Sequence, residues 1–229
     1  MDVHDEKMLF GKWLRNPLRI GAVVPSGAAL AKAMATALGP EILGPGSLQP
    51  EALRTRPHGV VVELGGGTGS ITRALLNSGI APRDLVVIER DEGLYRLLTQ
   101  RFPGSHIIHG DAARAKHLIR AAGIKKVAAV VSGLPLLNMK PRMQTVLLRQ
   151  CFDLMDADGV FIQFTYGPVS PVPLRLLARL RLSAKLAERI WLNVPPATVW
   201  RFVRRQKGDG QRKKHRTFRF FEATLNTGF

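Results

Sequence analysis

The sequence contains very little cysteine, and Cys151 is the single one among 229 residues. A lone cysteine excludes an intrachain disulfide and any metal site built from several cysteines. No stretch reaches the roughly 18 consecutive apolar residues that a membrane-spanning helix needs. The acidic start, Met1–Glu6, lacks the basic and apolar regions of a signal peptide, so we expect no secretory leader.

Acidic residues are also scarce relative to basic ones. The chain has 34 Lys and Arg against 17 Asp and Glu, for a formal net charge of +17 and a pI near 11.2. A field of this sign attracts polyanions, which means nucleic acid or an anionic membrane surface. Hydrophobic residues make up 45% of the chain, enough for the core of one sizeable domain with appendages.

The chain is organised around a buried strand that runs into a glycine-rich turn. Val60–Val62 is β-branched throughout, as in a strand covered on both faces, and the helical pattern of residues 70–78 follows the turn. Strand, glycine turn and helix form the front half of a nucleotide-binding unit. The turn, Glu63–Gly69, has the spacing Glu-x-Gly-x-Gly-x-Gly, which resembles the first motif of class I methyltransferases, a family that binds S-adenosylmethionine. A domain that binds NAD, or a plain tight turn, is the alternative interpretation.

Two further segments favour the same cofactor. Glu89 ends the next predicted strand, 20 residues after Gly69, where a carboxylate accepts hydrogen bonds from ribose hydroxyls. The alternative is a strand-end acid that pairs with Arg90. Gly110-Asp111-Ala112, after a third strand at 106–109, resembles the segment that reads adenine in this fold. The predicted cofactor-binding residues are Glu63, Gly65, Gly67, Thr68, Gly69, Glu89, Arg90, Gly110, Asp111, Ala112, Ser132 and Gly133.

No metal site is predicted. His106 and His109 flank the third strand, but no cluster of carboxylates and histidines is spaced around them as metal ligands. Methyl transfer from a sulfonium cofactor needs no metal.

The remaining pattern predicts a Rossmann-like α/β fold with a seven-stranded sheet. Strands are expected at 127–131 and 160–165, and at 184–194 and 198–205 as an antiparallel edge hairpin. Asp156–Gly159 is expected to be a turn, and Ser26 to cap a helix at 27–38. The predicted organisation is N-terminal helices at 1–40, a linker at 41–58, the core at 59–206 and a basic segment at 207–229.

Residues 5–15 have the pattern of a short amphipathic helix. Leu9, Phe10, Trp13 and Leu14 share one arc, and Lys12 and Arg15 lie opposite. This arrangement suits a helix that lies in a membrane interface. A helix that caps the domain core fits the same pattern.

Two methyltransferase families place an N-terminal helix before the glycine motif. The rRNA adenine dimethyltransferases resemble the chain in size and charge, but their strand-four motif, Asn-Leu-Pro-Tyr or Phe, uses the amide and the aromatic ring to hold a flipped base. Here the corresponding residues are Gly133-Leu134-Pro135-Leu136, which provide neither group. The chain therefore lacks the two groups that hold the base in that family, and RNA methylation stays the alternative function.

The second family resembles the chain more closely, from about residue 8 to residue 204. Ser132–Leu136 and Phe164–Gly167 are the discriminating segments, and they accompany Phe10–Leu14, Gly21–Ser26, Val62–Gly69 and Asn193–Ala197. Together they resemble bacterial phosphatidylethanolamine N-methyltransferases of the soluble type. The resemblance implies stepwise methylation of phosphatidylethanolamine toward phosphatidylcholine, and membrane binding through the N-terminal helix.

These inferences lead to an expected site and location. Tyr166 is the predicted catalytic residue, as an aromatic face for the growing charge on nitrogen or through its hydroxyl, and Ser132 is a second candidate. Arg19 and Arg175 are candidates for contact with the lipid phosphate. We expect a cytoplasmic protein, peripheral at the inner membrane. A catalytically silent membrane- or RNA-binding protein on the same fold is the third hypothesis.

Overall fold

The computed structural model describes residues 25–43, 59–191 and 195–205. The expected helix at 5–15, most of the expected linker and the basic segment at 207–229 lie outside these ranges, as does Arg19.

A seven-stranded sheet forms the centre of the molecule, with strand order β3-β2-β1-β4-β5-β7-β6. The first five strands are parallel, and β7 pairs antiparallel with both β5 and β6. This is the expected sheet, including its antiparallel edge hairpin. The strands are β1 Val60–Leu64, β2 Leu85–Glu89, β3 His106–His109, β4 Val127–Ser132, β5 Met155–Tyr166, β6 Leu182–Ile190 and β7 Ala197–Arg204.

Helices cover both faces of the sheet, which is why the central strands carry apolar side chains on both sides. Within the described ranges, three short 3₁₀ turns, at Pro82–Asp84, Ala112–Arg114 and Leu136–Asn138, lie between strands and helices. The helices are α1 Pro25–Thr36, α2 Pro40–Leu43, α3 Ser70–Asn77, α4 Glu92–Arg101, α5 Ala115–Ala121, α6 Pro141–Leu154 and α7 Leu174–Arg179.

Two hydrophobic cores lie on opposite faces of the sheet. The first core joins α1, α3 and α4 to side chains such as Val61, Val87 and Val131. The second core joins α5, α6 and α7 to their sheet neighbours Val62, Ile88 and Val130. Alternation along each strand therefore tells which face a side chain occupies.

The cysteine lies in the second core. Cys151 is on α6, fully buried between the helix and the sheet, and this burial raises the pKa of its thiol to about 12. A thiol in this environment packs as a small apolar group.

Three local expectations differ from the structure. Asp156–Gly159 is not a free turn but a bulge within β5, exposed at residues 156–158, where the pairing with β4 jumps from Met155 to Val160. α1 begins at Pro25, so the helix includes Ser26, the expected N-cap, in its first turn, where a residue without an N–H such as Pro25 fits. The short helix α2 also extends regular structure into the segment expected to be a linker.

None of the helices in the described part of the chain is long and apolar enough to cross a membrane.

Candidate active site

The carboxyl ends of β1, β2 and β4 meet where the strand order reverses, the position at which open α/β sheets bind ligands. Three glycines after β1 have positive φ: Gly65 at 75°, Gly67 at 54° and Gly69 at 88°. A Cβ at Gly65 would lie 2.8 Å from Leu134 Cδ2, and one at Gly69 would lie 2.4 Å from Phe102 Cε2. A Cβ at Gly67 would meet nothing within 4 Å. Two of the glycines therefore serve packing within the protein, and Gly67 faces open space.

Glu63 is fully buried at the end of β1, on the face of the first core. Its Oε2 accepts a hydrogen bond of 2.7 Å from the Thr72 hydroxyl in α3, and its Oε1 has no hydrogen-bond partner among the described residues. Burial, reinforced by the charge of Glu89, raises the pKa of Glu63 to about 8, against the lowering effect of Thr72. A buried acceptor of this kind suits a cationic group, because a cation would compensate the desolvated carboxylate.

Glu89 ends β2 beside the glycine turn. Its Oε2 accepts a 2.9 Å hydrogen bond from the Gly67 N–H, and its Oε1 accepts from the main-chain N–H groups of Arg90 and Asp91, at 2.8 Å each. The carboxylate is therefore fixed at the edge of the sheet, with lone pairs left on Oε2 for hydroxyl groups of a ligand.

The residues after β2 and β3 form a second layer around Glu89. Arg90 is exposed, and its carbonyl oxygen lies 2.9 Å from His109 Nε2, while His109 Nδ1 lies 3.2 Å from Glu92 Oε2. The ring of Tyr95 stacks on His109 with centroids 5.2 Å apart. Both nitrogens of His109 thus face protein oxygens, and no group of three or more potential metal ligands occurs in the described ranges.

Gly110-Asp111-Ala112 lies at the same edge, beyond β3. The Gly110 N–H donates to the Glu89 carbonyl oxygen at 2.9 Å, and the exposed Asp111 accepts from the Ala113 N–H at 2.8 Å. Ala112 is buried beneath them. The structure therefore brings this predicted segment next to Glu89.

The loop after β4 packs tightly on the glycine turn. The Gly133 N–H donates to the Leu64 carbonyl oxygen at 2.9 Å, and a Cβ at Gly133 would lie 2.8 Å from the Gly65 carbonyl oxygen. Ser132 is fully buried, and its hydroxyl oxygen accepts a 3.3 Å hydrogen bond from the Leu134 N–H. Ser132 and Gly133 are therefore part of the same edge as Glu63 and Glu89.

Tyr166 and Ser132, the two predicted catalytic residues, are not brought together on one face of the sheet. The Tyr166 ring packs on the first core, edge-on to Phe164 with centroids 5.4 Å apart. Ser132 alternates with Val131 of the first core, so its side chain faces the second core. Ser132 pairs with Gln163 of β5, and β5 continues beyond Gln163 to end at Tyr166. Tyr166 therefore lies at the edge of the sheet where an acceptor would approach.

Sequence reasoning assigned no role to four residues that shape this edge. Thr72 is the partner of Glu63, and Arg101 donates to the Thr68 carbonyl oxygen of the glycine turn at 2.9 Å. The buried amides of Gln163 and Gln144 donate to the Leu134 and Leu136 carbonyl oxygens, at 2.9 and 2.6 Å, and so fix the loop after β4. Gln163 directly precedes the discriminating segment Phe164–Gly167, which was the available signal.

The geometry defines what this edge can hold. It offers a buried acceptor at Glu63, a fixed carboxylate at Glu89 and unfilled space over Gly67. These features fit a ligand that carries a cationic amine and ribose hydroxyls.

Comparison with known proteins gives two partial relatives and a clear fold, whereas no protein-family model matches the sequence. An ornithine lipid N-methyltransferase from Singulisphaera acidiphila is 34% identical over 112 residues, which cover 48% of this chain and 58% of that protein. A ribosomal RNA small subunit methyltransferase A from Synechococcus sp. is 44% identical over 57 residues, which cover 24% and 19%. The matched part is less than two thirds of either relative.

Among solved structures, the O-methyltransferase from Bacillus cereus in complex with SAH superimposes with a TM-score of 0.56 at 11% identity. The superposition covers 89% of this chain and 92% of that one. The chain therefore has the Rossmann-like fold of class I methyltransferases.

Proposed function

We propose that the chain is an S-adenosylmethionine-dependent methyltransferase that methylates the amine of a membrane lipid. The observation that carries the cofactor assignment is the joining of Glu63, Glu89 and the open Gly67 position at one edge of the sheet. S-adenosylmethionine has the cationic amine and ribose hydroxyls that this edge fits, and when bound it supplies a methyl group on a positively charged sulfur.

Each residue of this edge has a definite task in the proposal. Glu63 Oε1 accepts from the ammonium group of the cofactor, Glu89 Oε2 accepts from its ribose, and Asp111 and Ala112 contact its adenine. Gly67 leaves the main chain accessible, and Thr68, Gly69 and Arg90 shape the turn around it.

The Ser132–Leu134 loop, fixed by Gln163, borders the methyl donor, and Tyr166 offers its ring to the amine that gains charge.

A lipid amine is favoured as the acceptor by two observations. One relative is an ornithine lipid N-methyltransferase, which provides a precedent for N-methylation of a lipid on a similar sequence. Residues Gly133–Leu136, which follow β4, also contain no amide or aromatic side chain of the kind that holds a flipped base, which disfavours an RNA acceptor. Phosphatidylethanolamine is our first candidate and ornithine lipid the second, since both carry a primary amine at the membrane surface.

The proposal includes peripheral membrane association on the cytoplasmic side. The net charge of +17 and the amphipathic pattern at 5–15 provide the two signals that firm peripheral binding requires.

The test is methyl transfer from labelled S-adenosylmethionine to three acceptors in parallel. These are phosphatidylethanolamine and ornithine lipid, each in vesicles that contain anionic lipid, and total ribosomal RNA. We expect label in a lipid, and loss of that label when residues 1–15 are deleted. Label in RNA alone would refute the lipid assignment, and failure to bind S-adenosylmethionine would favour a catalytically silent protein.

A further inference from the structure

The carboxyl edge of the sheet is divided into two halves of different character. The half formed by β1, β2 and β3 carries the acidic side chains of Glu63, Glu89, Asp91, Glu92 and Asp111. The half formed by the ends of β4 and β5 carries none, because residues 133–152 and 159–187 contain no aspartate or glutamate. The second half therefore carries basic side chains and no acidic ones.

Apolar side chains on this second half point into solvent. Leu174 is 79% exposed and Val169 is 71% exposed, in the segment that leaves β5, and Met143 and Leu137 are exposed beside the end of β4. Exposed basic side chains lie beside them in the same segments, namely Lys140, Arg142 and Arg175. We name the four apolar side chains, Leu137, Met143, Val169 and Leu174, the apolar rim.

The two segments behind the rim are joined to each other. The buried Gln144 donates through Nε2 to the Leu136 carbonyl oxygen at 2.6 Å and to the Pro171 carbonyl oxygen at 3.1 Å. Leu136, Val172, Leu176 and Leu177 pack together beneath the surface in the second core. The segments that carry the apolar rim are therefore packed against each other, and the rim side chains form one continuous surface.

An aromatic residue extends the surface along the same edge. Ile190 pairs with Ala197, which pairs with Tyr166, so the end of β6 is level with the end of β5. Trp191 follows directly, 69% exposed, with the Arg189 guanidinium 5.8 Å from its ring centroid. A tryptophan beside a basic group is typical of positions at a membrane interface.

We propose that the apolar rim and its basic neighbours form a second docking surface, which lies against an anionic lipid bilayer. In this orientation the proposed acceptor site faces the membrane. This inference rests on the proposed function in that it assigns a membrane to the same site. Charge complementarity selects an anionic partner, and the exposed aliphatic side chains select a bilayer over RNA, since aliphatic groups gain by burial among acyl chains and RNA binding relies on stacking and phosphate contacts.

The first experiment measures binding of the full chain to vesicles of phosphatidylglycerol and phosphatidylcholine in equal parts. The double variant Val169→Gln/Leu174→Gln is expected to bind about tenfold more weakly, because two aliphatic groups no longer enter the bilayer. The matched control is Leu186→Gln, an exposed leucine in the middle of β6, which should change vesicle affinity less than twofold.

The second experiment tests the basic neighbours with two variants of equal charge. Lys140→Glu/Arg175→Glu alters the rim side, whereas Arg83→Glu/Lys125→Glu alters exposed residues that precede β2 and β4 at the opposite edge. The rim-side pair is expected to weaken vesicle binding at least fivefold more than the opposite pair, because only the former contacts the surface.

Several outcomes would overturn the inference. One is equal vesicle affinity of the rim variants and their controls, and another is a lowered Tm of Val169→Gln/Leu174→Gln, which would mean that the rim packs against the chain itself. A selective loss of binding to ribosomal RNA in place of vesicles would identify an RNA surface. Vesicle binding is scored without methyl transfer, so a rim that binds vesicles without lipid methylation would refute only the proposed function. Lipid methylation with rim variants that bind as the wild type would refute only the rim.

Discussion

Gly67 and Gly69 lie in the same turn but have different surroundings. One added methyl group therefore tests ligand access at Gly67 and packing within the protein at Gly69. Gly67→Ala places a Cβ in open space, so we expect a modest loss of stability, about 1 kcal/mol for a left-handed alanine. Gly69→Ala forces its Cβ against Phe102 and should cost several kcal/mol in addition. Urea denaturation measures both costs.

Gly69→Ala should reduce stability more than Gly67→Ala, whereas we expect Gly67→Ala to reduce the cofactor affinity of the folded protein more than Gly69→Ala does. Gly67→Ala is expected to weaken binding of S-adenosylmethionine at least tenfold in calorimetry, because its methyl group occupies the space left for the ligand. Unchanged affinity in Gly67→Ala would remove Gly67 from the cofactor site.

Glu63 makes stability depend on pH in an unusual direction. Its pKa is raised to about 8 in the folded protein, chiefly by burial, and is about 4.3 in an unfolded chain. The folded state therefore retains a proton that the unfolded state has lost, so the contribution of this group to the free energy of unfolding is full below about pH 4 and falls as the pH rises toward 8. Glu63→Gln should flatten this slope in urea denaturation between pH 5 and 8, a range set by these two pKa values. An identical slope in both proteins would contradict the buried acid.

The same carboxyl links cofactor binding to proton release. A cationic amine at Oε1 favours the carboxylate, so binding near neutral pH should release a proton from the wild type and none from Glu63→Gln. Calorimetry in two buffers of different ionisation enthalpy measures this difference.

At the scale of elements, Gln144 joins the start of α6 to the loops that follow β4 and β5. Gln144→Leu keeps most of the side-chain volume and leaves two buried carbonyl oxygens without this donor, so we expect a loss of about 1–3 kcal/mol. Gln144 holds the loop after β4 at Leu136, beyond Gly133 and Leu134, the residues that pack on the glycine turn. We therefore expect the KM for lipid to rise more than the dissociation constant for the cofactor.

The control for this prediction lies on the same helix. Gln150 donates to the Ala113 carbonyl oxygen, on the cofactor half of the edge. Gln150→Leu should therefore weaken cofactor binding with little effect on the KM for lipid. If the two variants affect the same kinetic constant, the division of the edge into two halves is wrong.

The elements themselves followed from the sequence where local pattern and tertiary environment agree. The run of β-branched residues at Val60–Val62 predicted β1, and the spacing from Gly69 to Glu89 predicted the site at the end of β2. Asp156–Gly159 has the composition of a turn, but it is held against β7, where the Arg204 guanidinium donates to the Asp156 and Ala157 carbonyl oxygens. This contact joins residues 48 and 47 positions apart and has no local signature.

The acceptor side of the site was less predictable than the cofactor side for a related reason. Glycines and strand-end acids leave a fixed spacing in the sequence, whereas Gln144 and Gln163 act on main-chain carbonyl oxygens that any residue supplies. At the centre of the strand that ends at Tyr166, Phe161 and Ile162 place apolar side chains on both faces, so its composition did not reveal that Tyr166 and Ser132 face different cores.

At the scale of the whole molecule, the net charge of +17 predicts strong salt dependence of the proposed membrane binding. Affinity for anionic vesicles should fall at least tenfold when the ionic strength rises from about 0.1 M to 0.5 M, because the Debye length shrinks well below its value of about 10 Å. Affinity for S-adenosylmethionine should change far less, since its proposed partner Glu63 is buried and weakly screened. Co-sedimentation and calorimetry over one salt series measure the two quantities.

A vesicle affinity that does not change with ionic strength would mean that apolar insertion alone holds the protein on the membrane. In that case the Val169→Gln/Leu174→Gln variant should abolish binding at every ionic strength.

Because Cys151 is buried, the protein is suited to site-specific chemical labelling of an introduced cysteine. The thiol is enclosed in the second core with a pKa near 12, so alkylating reagents should leave the native chain unmodified at neutral pH. A cysteine introduced at position 174 or 191 would then be the single reactive thiol, and a fluorophore there would report immersion in a bilayer. Without any introduced residue, the rate at which Cys151 becomes modified measures how often the helix α6 separates from the sheet.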